Sequence, residues 1–253
     1  MNGGEAQRLK FSIVIPAWND AENLARLLPA LRKSALRTDS SGGEIDNETI
    51  VVDAANDRET EEIARVNEAI YRRASKPNRG EQMNLGAAAA TGDVLVFHHA
   101  DSWLTPAHFA AIERTLQDRQ IIGGAFHRKF DERHPRLKFL EPLTRIAARL
   151  GGTMYGDQSI FVRREIFERL GGFATIPLME DLEFSQRLRA AGRLAIIDPP
   201  IETSARRHLA RGAWRASFQN GLFIVLYKLG VSPQRLHRWY YRCLLYTSDA
   251  ADE

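Results

Sequence analysis

The 253-residue sequence has little of what marks secreted or membrane-spanning proteins. Its one cysteine, Cys243, excludes an internal disulfide and a cysteine-ligated zinc site, and so favours a reducing compartment such as the cytoplasm. No apolar run approaches the roughly 20 residues that cross a bilayer. Residues 1–10 are polar and lack the apolar core of a secretory signal. We therefore expect a protein that is soluble, or at most peripheral to a membrane.

Several catalytic signatures are missing as well. The sequence has no Gly-x-Gly-x-x-Gly after a strand, no Gly-Lys-Ser/Thr phosphate loop and no Gly-x-Ser-x-Gly elbow. These absences disfavour a dinucleotide oxidoreductase, a P-loop nucleotidase and an α/β hydrolase. The chain is 44% hydrophobic and 26% charged, which is typical of a globular protein rather than a disordered or fibrous one. Its length suits one large domain, with or without a helical extension.

The first half of the chain alternates strand and helix signals. Apolar runs predict strands at 11–15, 50–52, 69–72 and 93–97, and helices are predicted at 59–67, 81–90 and 106–119. Asn19 and Asp20 can cap a further helix with an apolar face of Leu24, Leu27, Leu28 and Leu31. Such alternation predicts an α/β fold, a mostly parallel Rossmann-like sheet with helices on both faces.

The second half is less regular and suggests where the parts divide. Strands are expected at 121–130 and 194–197, and helices at 139–150, 164–170, 180–191, 214–229 and 233–241. We expect a sheet domain over 1–210, with a nucleotide-binding half at about 10–120 and an acceptor-side half at about 121–210. A C-terminal helical extension follows at 211–242. Residues 243–253 depart from the pattern and indicate a non-native or disordered tail.

Two acidic residues follow apolar strands directly. Asp53 comes after Ile50-Val-Val52, and Asp101 follows the strand that ends at Phe97. In open parallel sheets, ligands bind outside the carboxyl ends of the strands. The fold is therefore expected to bring these distant carboxylates to one edge.

The order of motifs resembles family-2 glycosyltransferases of the GT-A type. The motifs that carry the resemblance are Pro16-Ala17-Trp-Asn19-Asp20, the strand ending in Asp53, Arg79-Gly80, Gln82-Met-Asn84, Ala100-Asp101, Gly171-Gly172-Phe173 and Glu180-Asp181, with Ser204-Ala-Arg206-Arg207 beyond them. The likeness extends over nearly the whole chain. It is closest to a small bacterial subgroup associated with radical-SAM and selenium-domain proteins.

The resemblance implies a nucleotide-sugar site and its residues. Binding of the nucleotide sugar is expected at Pro16, Ala17, Asn19, Asp20, Asp53, Arg79, Gln82, Asn84, Ala100, Asp101, Arg206 and Arg207. The donor is a nucleotide-diphosphate sugar, with a UDP-sugar favoured. The Gln-x-x-Arg-Trp element of processive enzymes is absent, which indicates transfer of one sugar per acceptor. No nucleic-acid partner is expected.

The family's metal-binding Asp-x-Asp is reduced here, because His99 replaces the first aspartate. The resemblance makes Asp101 the protein ligand of a Mg²⁺ or Mn²⁺ ion. Such ions often take one or two carboxylates and fill other positions with substrate phosphates. The alternative is an aspartate that only caps a turn. Because neighbouring side chains on a strand point to opposite faces, His98 and His99 would not share a zinc ion. Asp57 is displaced by one residue from the position of the family's acidic residue and is therefore a doubtful metal ligand.

Asp181 is the candidate general base, with Glu180 beside it. It would accept the proton of an acceptor hydroxyl that attacks the anomeric carbon with inversion. A helix-capping aspartate is the alternative. Asp53 would bind the nucleoside or end its strand in a turn, and Arg79 would contact the diphosphate or lie exposed in a loop. Arg206 and Arg207 would bind phosphate or form surface ion pairs.

The C-terminal third is strongly basic. Residues 186–242 contain eleven basic side chains and two acidic ones, Asp198 and Glu202. The surplus favours phosphates of a nucleotide, lipid headgroup or nucleic acid, or it is only a solvated helix face. The aromatic and aliphatic residues of 214–241 predict a core-packing extension. Membrane contact that brings the enzyme to a lipid-linked acceptor, at the inner face of the membrane, is the second interpretation.

Two other functions compete with glycosyl transfer. A catalytically silent sugar-nucleotide-binding protein would explain the reduced Asp-x-Asp. A sugar-1-phosphate nucleotidylyltransferase would use a related sheet, but it usually has a glycine-rich basic loop near the N-terminus, and Pro16-Ala-Trp-Asn19 is not such a loop.

Overall fold

A computed structural model describes residues 9–35, 45–130, 154–203 and 213–248. The strands are β1 (Phe11–Ala17), β2 (Asn47–Asp53), β3 (Ile70–Arg73), β4 (Val94–Phe97), β5 (Ser102–Trp103), β6 (Ile121–Phe130), β7 (Ile160–Arg163) and β8 (Arg193–Thr203). The helices are α1 (Ala21–Ala35), α2 (Arg58–Val66), α3 (Arg79–Ala89), α4 (Pro106–Leu116), α5 (Arg164–Arg169), α6 (Glu180–Ala191), α7 (Ala213–Lys228) and α8 (Pro233–Ser248). A single 3₁₀ turn, Gly156–Gln158, precedes β7.

The described strands form one sheet in the order β3-β2-β1-β4-β7-β6-β8-β5. The pairs β3/β2, β2/β1, β1/β4 and β6/β8 are parallel, whereas β4/β7, β7/β6 and β8/β5 are antiparallel. Strands β1 to β4 therefore pair with one another only in parallel. Each antiparallel pair includes β7 or β8, which come from the part of the chain where the sequence signals are least regular.

Alternating side chains of the central strands supply two cores, one on each face of the sheet. On one face, Ile13 and Ile15 pack with the predicted apolar face of α1 and with Phe109 of α4. On the other, Val14 packs with Met83 of α3 and Phe184 of α6. Helices therefore cover both faces, and the predicted α/β architecture is confirmed.

The ends of two elements differ most from the predictions. Strand β8 extends to Thr203 instead of ending near Ile197, and its Asp198–Pro200 segment lies in a register irregularity against β6. Helix α8 continues to Ser248, past the expected end near Tyr241 and into the segment interpreted as a tail. The helix expected at 139–150 lies outside the described residues. No helix within the described ranges is both long and apolar enough to cross a membrane.

Candidate active site

Asp53 ends β2 and lies fully buried beside Ala17 at the end of β1. Its Oδ1 accepts a hydrogen bond from the Ala55 N–H (2.9 Å), and its Oδ2 accepts from the Asp57 N–H (3.1 Å) and the Tyr71 hydroxyl (3.0 Å). Burial, then the bond to Asp53, raises the pKa of Tyr71 to about 12. Asp53 thus forms the turn that was the alternative to its binding role. It also lies at the carboxyl end of β2, where the nucleoside is predicted to bind.

The other acidic residues of this edge cap helices. Asp57 is the N-cap of α2 and accepts from the Glu59 and Thr60 N–H groups, so its carboxylate serves the helix. Asp20 accepts from the Trp18 N–H and the Asn23 side chain, and its carbonyl begins the bonding of α1. Asn19 adopts a left-handed φ of 55°, which turns the chain out of β1.

Helix α3 ties these strand ends together. The buried Gln82 amide donates to the carbonyls of Ala17 and Val52, both at 2.8 Å. Pro16 lies between the core residues Ile15 and Ala17 at the end of β1. Gln82 therefore fixes the spacing of β1 and β2 at their carboxyl ends, and this structural role does not depend on a bound ligand.

Asn84, on the same helix, holds the Gly171–Phe173 loop. Its side chain donates to the Phe173 carbonyl and accepts from the Phe173 N–H, both at 2.8 Å. A Cβ on Gly172 would stand 2.5 Å from Asn84 Oδ1, and the glycine has a φ of 71°, so the loop requires glycine there. Asn84 therefore has a structural role, which is to hold the loop that precedes α6.

Arg79 and Glu180 join the N-termini of α3 and α6. The Arg79 Nη1 lies 3.3 Å from Glu180 Oε1; the carboxylate is buried and the guanidinium half-exposed. A Cβ on Gly80 would stand 2.4 Å from the Ala174 carbonyl oxygen, so α3 touches the loop before α6. Arg79 therefore pairs with Glu180, one of the two acids predicted from the sequence to be catalytic.

Asp181 lies in the first turn of α6, and its side chain is partly exposed. Its Oδ2 accepts from the Gly156 N–H at 2.9 Å, and its Oδ1 accepts from the Leu182 N–H at 2.7 Å. Burial, and then the negative charge of Glu180, raise the pKa of Asp181 to about 6. A carboxylate with such a pKa is a stronger base than an ordinary aspartate and is still ionised near neutral pH.

The turn after β4 carries His98, His99, Ala100 and Asp101. His98 is fully buried between Ser159 Oγ (2.7 Å) and the Ser102 carbonyl (3.0 Å), and burial lowers its pKa to about 3. His98 is therefore neutral and structural. Ala100 is buried, while Asp101 is partly exposed.

Gly156 links Asp181 to this turn. A Cβ on Gly156 would lie 2.6 Å from His99 Nε2, so the histidine ring presses against the glycine whose N–H binds Asp181. Contacts thus link α3 to the ends of β1 and β2 and, through Arg79 and Glu180, to the start of α6. Gly156 lies between Asp181 and His99, two residues before Asp101.

No functional role was predicted from the sequence for the 156–159 segment. Asp157 pairs with Arg128 of β6, the Gln158 amide donates to the Phe126 carbonyl (3.2 Å), and Ser159 bonds His98. Ser159 adopts a left-handed φ of 52°. A glycine beside an acidic and an amide residue just before an apolar strand was the available signal. Arg206 and Arg207 lie outside the described residues.

The described residues contain no group of three or more histidine, cysteine, aspartate or glutamate side chains that could hold a metal ion by themselves. A lone, partly exposed carboxylate such as Asp101 suits an ion of the Mg²⁺ or Mn²⁺ type that shares its remaining positions with substrate phosphates. The donor set does not suit a closed structural zinc site.

The family model described as "Glycosyl transferase family 2" matches residues 12–171. A comparison with curated protein sequences finds no match.

Several solved structures share the fold. A mannosyltransferase from Pyrobaculum calidifontis, PcManGT, in complex with GDP-Man and Mn²⁺, superposes with a TM-score of 0.65 at 20% identity, over 98% of this chain and 75% of that one. S. aureus TarS 1–349 gives a TM-score of 0.60 at 15% identity over 80% of this chain, and its complex with UDP-GlcNAc gives 0.59 at 17% over 77%. The chain spans 62% and 58% of those two TarS chains, respectively.

Proposed function

Because this chain belongs to glycosyl transferase family 2, we propose that it moves one sugar from a nucleotide-diphosphate sugar to an acceptor hydroxyl, with inversion and with a divalent metal ion. The observation that carries the proposal is the setting of Asp181. Its raised pKa, its bond to Gly156 and its connection to the Asp101 turn suit a general base beside a donor site. The division into nucleotide-binding and acceptor-side halves is part of the proposal.

The donor would bind at the carboxyl ends of β1, β2 and β4. Asp53 would accept hydrogen bonds from the nucleoside, and Arg79 would donate charge-assisted hydrogen bonds to the diphosphate. The nucleotide complexes of PcManGT and TarS support a nucleotide-sugar donor. A UDP-sugar is our preferred donor. The remaining predicted contacts (Pro16, Ala17, Asn19, Asp20, Gln82, Asn84 and Ala100) surround these strand ends or shape them.

A Mg²⁺ or Mn²⁺ ion bound at Asp101 would neutralise negative charge on the departing diphosphate. The Mn²⁺ in PcManGT supports the choice of ion. Arg79 would add a second positive charge on the phosphate side.

Asp181 would take the proton of the acceptor hydroxyl as its oxygen forms a bond to the anomeric carbon. On the opposite face, the bond from that carbon to the phosphate oxygen breaks, and the nucleotide diphosphate leaves with the electron pair. Glu180 would assist by raising the basicity of Asp181, while its pairing with Arg79 keeps it in place. The products are an inverted glycoside, a nucleotide diphosphate and a protonated Asp181.

A catalytically silent nucleotide-sugar-binding protein is the second candidate. The observation that favours this candidate is that His99, and not a second aspartate, lies two residues before Asp101. This candidate predicts binding of the nucleotide and metal without turnover.

The subgroup within the family and the location are also proposals. The His99-Ala100-Asp101 motif supports membership of the bacterial subgroup associated with radical-SAM and selenium-domain proteins. The single cysteine supports a cytoplasmic location. Peripheral contact with the inner face of the membrane through α7 and α8 would bring the enzyme to its acceptor.

The experiment is a thermal-shift screen of nucleotides and nucleotide sugars with and without Mn²⁺, followed by a turnover assay of each donor that binds. A ligand that binds the native state raises the melting temperature by mass action. We expect a nucleotide diphosphate to stabilise the protein more strongly with Mn²⁺, and its sugar derivative to be consumed. Binding without consumption would support the silent protein, and no binding of any nucleotide would overturn both candidates.

A further inference from the structure

The last two helices expose apolar side chains along a stripe. On α7, Leu222 and Val225 are 45% and 52% exposed, and Leu229, just past the helix, is 76% exposed. Their spacing of three and four residues puts them on one side of the helix, and the Leu229 N–H still bonds to the Val225 carbonyl. On α8, Trp239 is also exposed. Such a run of large apolar side chains facing water indicates a partner surface.

The inner faces of the two helices are occupied. Phe223 and Leu236 are buried, and the ring of Phe223 meets that of Tyr240 edge-on at 5.7 Å between centroids. The helices therefore form a hairpin, which we name the C-terminal hairpin (α7, α8 and the turn 229–232), with its own small apolar contact. The stripe lies outside that contact.

The sequence of the hairpin is basic. Residues 213–248 contain five basic residues (Arg215, Lys228, Arg235, Arg238 and Arg242) and no acidic residue. Lys228, Arg235 and Arg238 are exposed on the hairpin. Apolar side chains flanked by cations match the anionic headgroups and acyl boundary of a lipid bilayer.

We propose that the C-terminal hairpin docks on an anionic membrane surface, with the Leu222–Val225–Leu229 stripe and Trp239 in the headgroup region and the basic side chains on lipid phosphates. A nucleic acid would use the cations but would gain little from exposed aliphatic side chains. A second copy of this chain would bring two surfaces of the same positive charge together.

The proposal also names a class of acceptor. Membrane docking would bring the enzyme to lipid-linked molecules, and an acceptor hydroxyl on such a molecule would be the one that Asp181 deprotonates; this last step rests on the proposed function.

The test is co-sedimentation of the full chain with vesicles of phosphatidylcholine alone or mixed with phosphatidylglycerol. The test variant is Val225→Ser/Leu229→Ser, and the matched control is Val66→Ser/Leu85→Ser, which removes another exposed valine and leucine, on α2 and α3. We expect the wild type and the control to sediment with anionic vesicles at low salt and to be released at about 0.5 M salt. The test variant should bind about tenfold more weakly.

Three results would overturn the proposal. The wild type could stay in the supernatant with anionic vesicles, or both double variants could bind equally well. Alternatively, vesicles could bind no protein while Val225→Ser/Leu229→Ser converts a dimer to a monomer or abolishes binding of RNA in a gel-shift assay. The Mn²⁺-dependent thermal shift with UDP, measured on the same variants, is independent of membrane binding and tests the proposed function separately.

Discussion

At the ends of the parallel strands, Asp53 and Asp57 accept hydrogen bonds from backbone N–H groups no more than four residues away, so local turns define their positions. Across the cleft, Asp181 is held by Gly156, 25 residues distant, and Glu180 pairs with Arg79, 101 residues distant. The first arrangement is rigid before any ligand binds. The second depends on the whole fold, and it keeps an acid partly desolvated beside a like charge, as general-base catalysis requires.

The contrast predicts that the two regions fail in different ways. Asp181→Asn should lower kcat by roughly 10²–10⁴-fold, because asparagine cannot take the acceptor proton. Binding of UDP with Mn²⁺ should stay within about twofold of wild type. Single-turnover consumption of the donor, with nucleotide affinity by calorimetry, measures both. Unchanged turnover in the variant would remove Asp181 from the mechanism.

Asp53→Asn should damage stability and nucleotide binding together. Three donors converge on the Asp53 carboxylate, and an asparagine has only one acceptor oxygen for them. We expect a loss of about 1–3 kcal/mol in the free energy of unfolding, measured by urea titration. Tyr71→Phe, which removes one of the donors, should cost less, about 1 kcal/mol. If Asp53→Asn has the same midpoint of urea unfolding as the wild type and binds UDP normally, the local turn does not define the donor site.

Much of the donor side could be predicted from sequence because its signals are local. Apolar runs that end in Pro16 or Asp53, and polar residues before amphipathic helices, define strands, turns and caps within a few residues of each other. The role of Asp57 as a helix cap belongs to the same class.

The surroundings of Asp181 were less predictable because their contacts join distant segments. Nothing near Gly156 in sequence indicates that its N–H binds Asp181 or that His99 packs on it. Proline is unfavourable inside a strand, yet β8 passes through the prolines at 199 and 200 where its register against β6 is irregular. Which nucleotide or acceptor fits this cleft is likewise a property of the assembled surface.

Alanine substitutions at two helical glycines test how closely α3 packs on the parallel strands. A Cβ on Gly86 of α3 would stand 2.3 Å from Val14 Cγ1 and 3.0 Å from Val52 Cγ2, and β-branched valines in a sheet have little freedom to move. Gly86→Ala should therefore destabilise the protein by about 1–3 kcal/mol. Gly221 of α7 has nothing within 4 Å of such an atom, and Gly221→Ala should stabilise by up to about 1 kcal/mol. Equal melting temperatures for the two variants would contradict the close packing of α3 on the sheet.

The smallest expected effect concerns the pH dependence of kcat. A general base must be ionised, so with a pKa of about 6 for Asp181 the rate should fall about tenfold per pH unit below that value and level off above it. After burial, the charge of Glu180 is the next cause that raises this pKa, while the Arg79 charge and the Gly156 and Leu182 N–H groups lower it. Glu180→Gln should therefore move the inflection to lower pH. Glu183→Gln, one turn along α6, is the matched control and should leave it in place. An inflection that is the same in all three proteins would show that like-charge repulsion at the start of α6 does not set the basicity of Asp181.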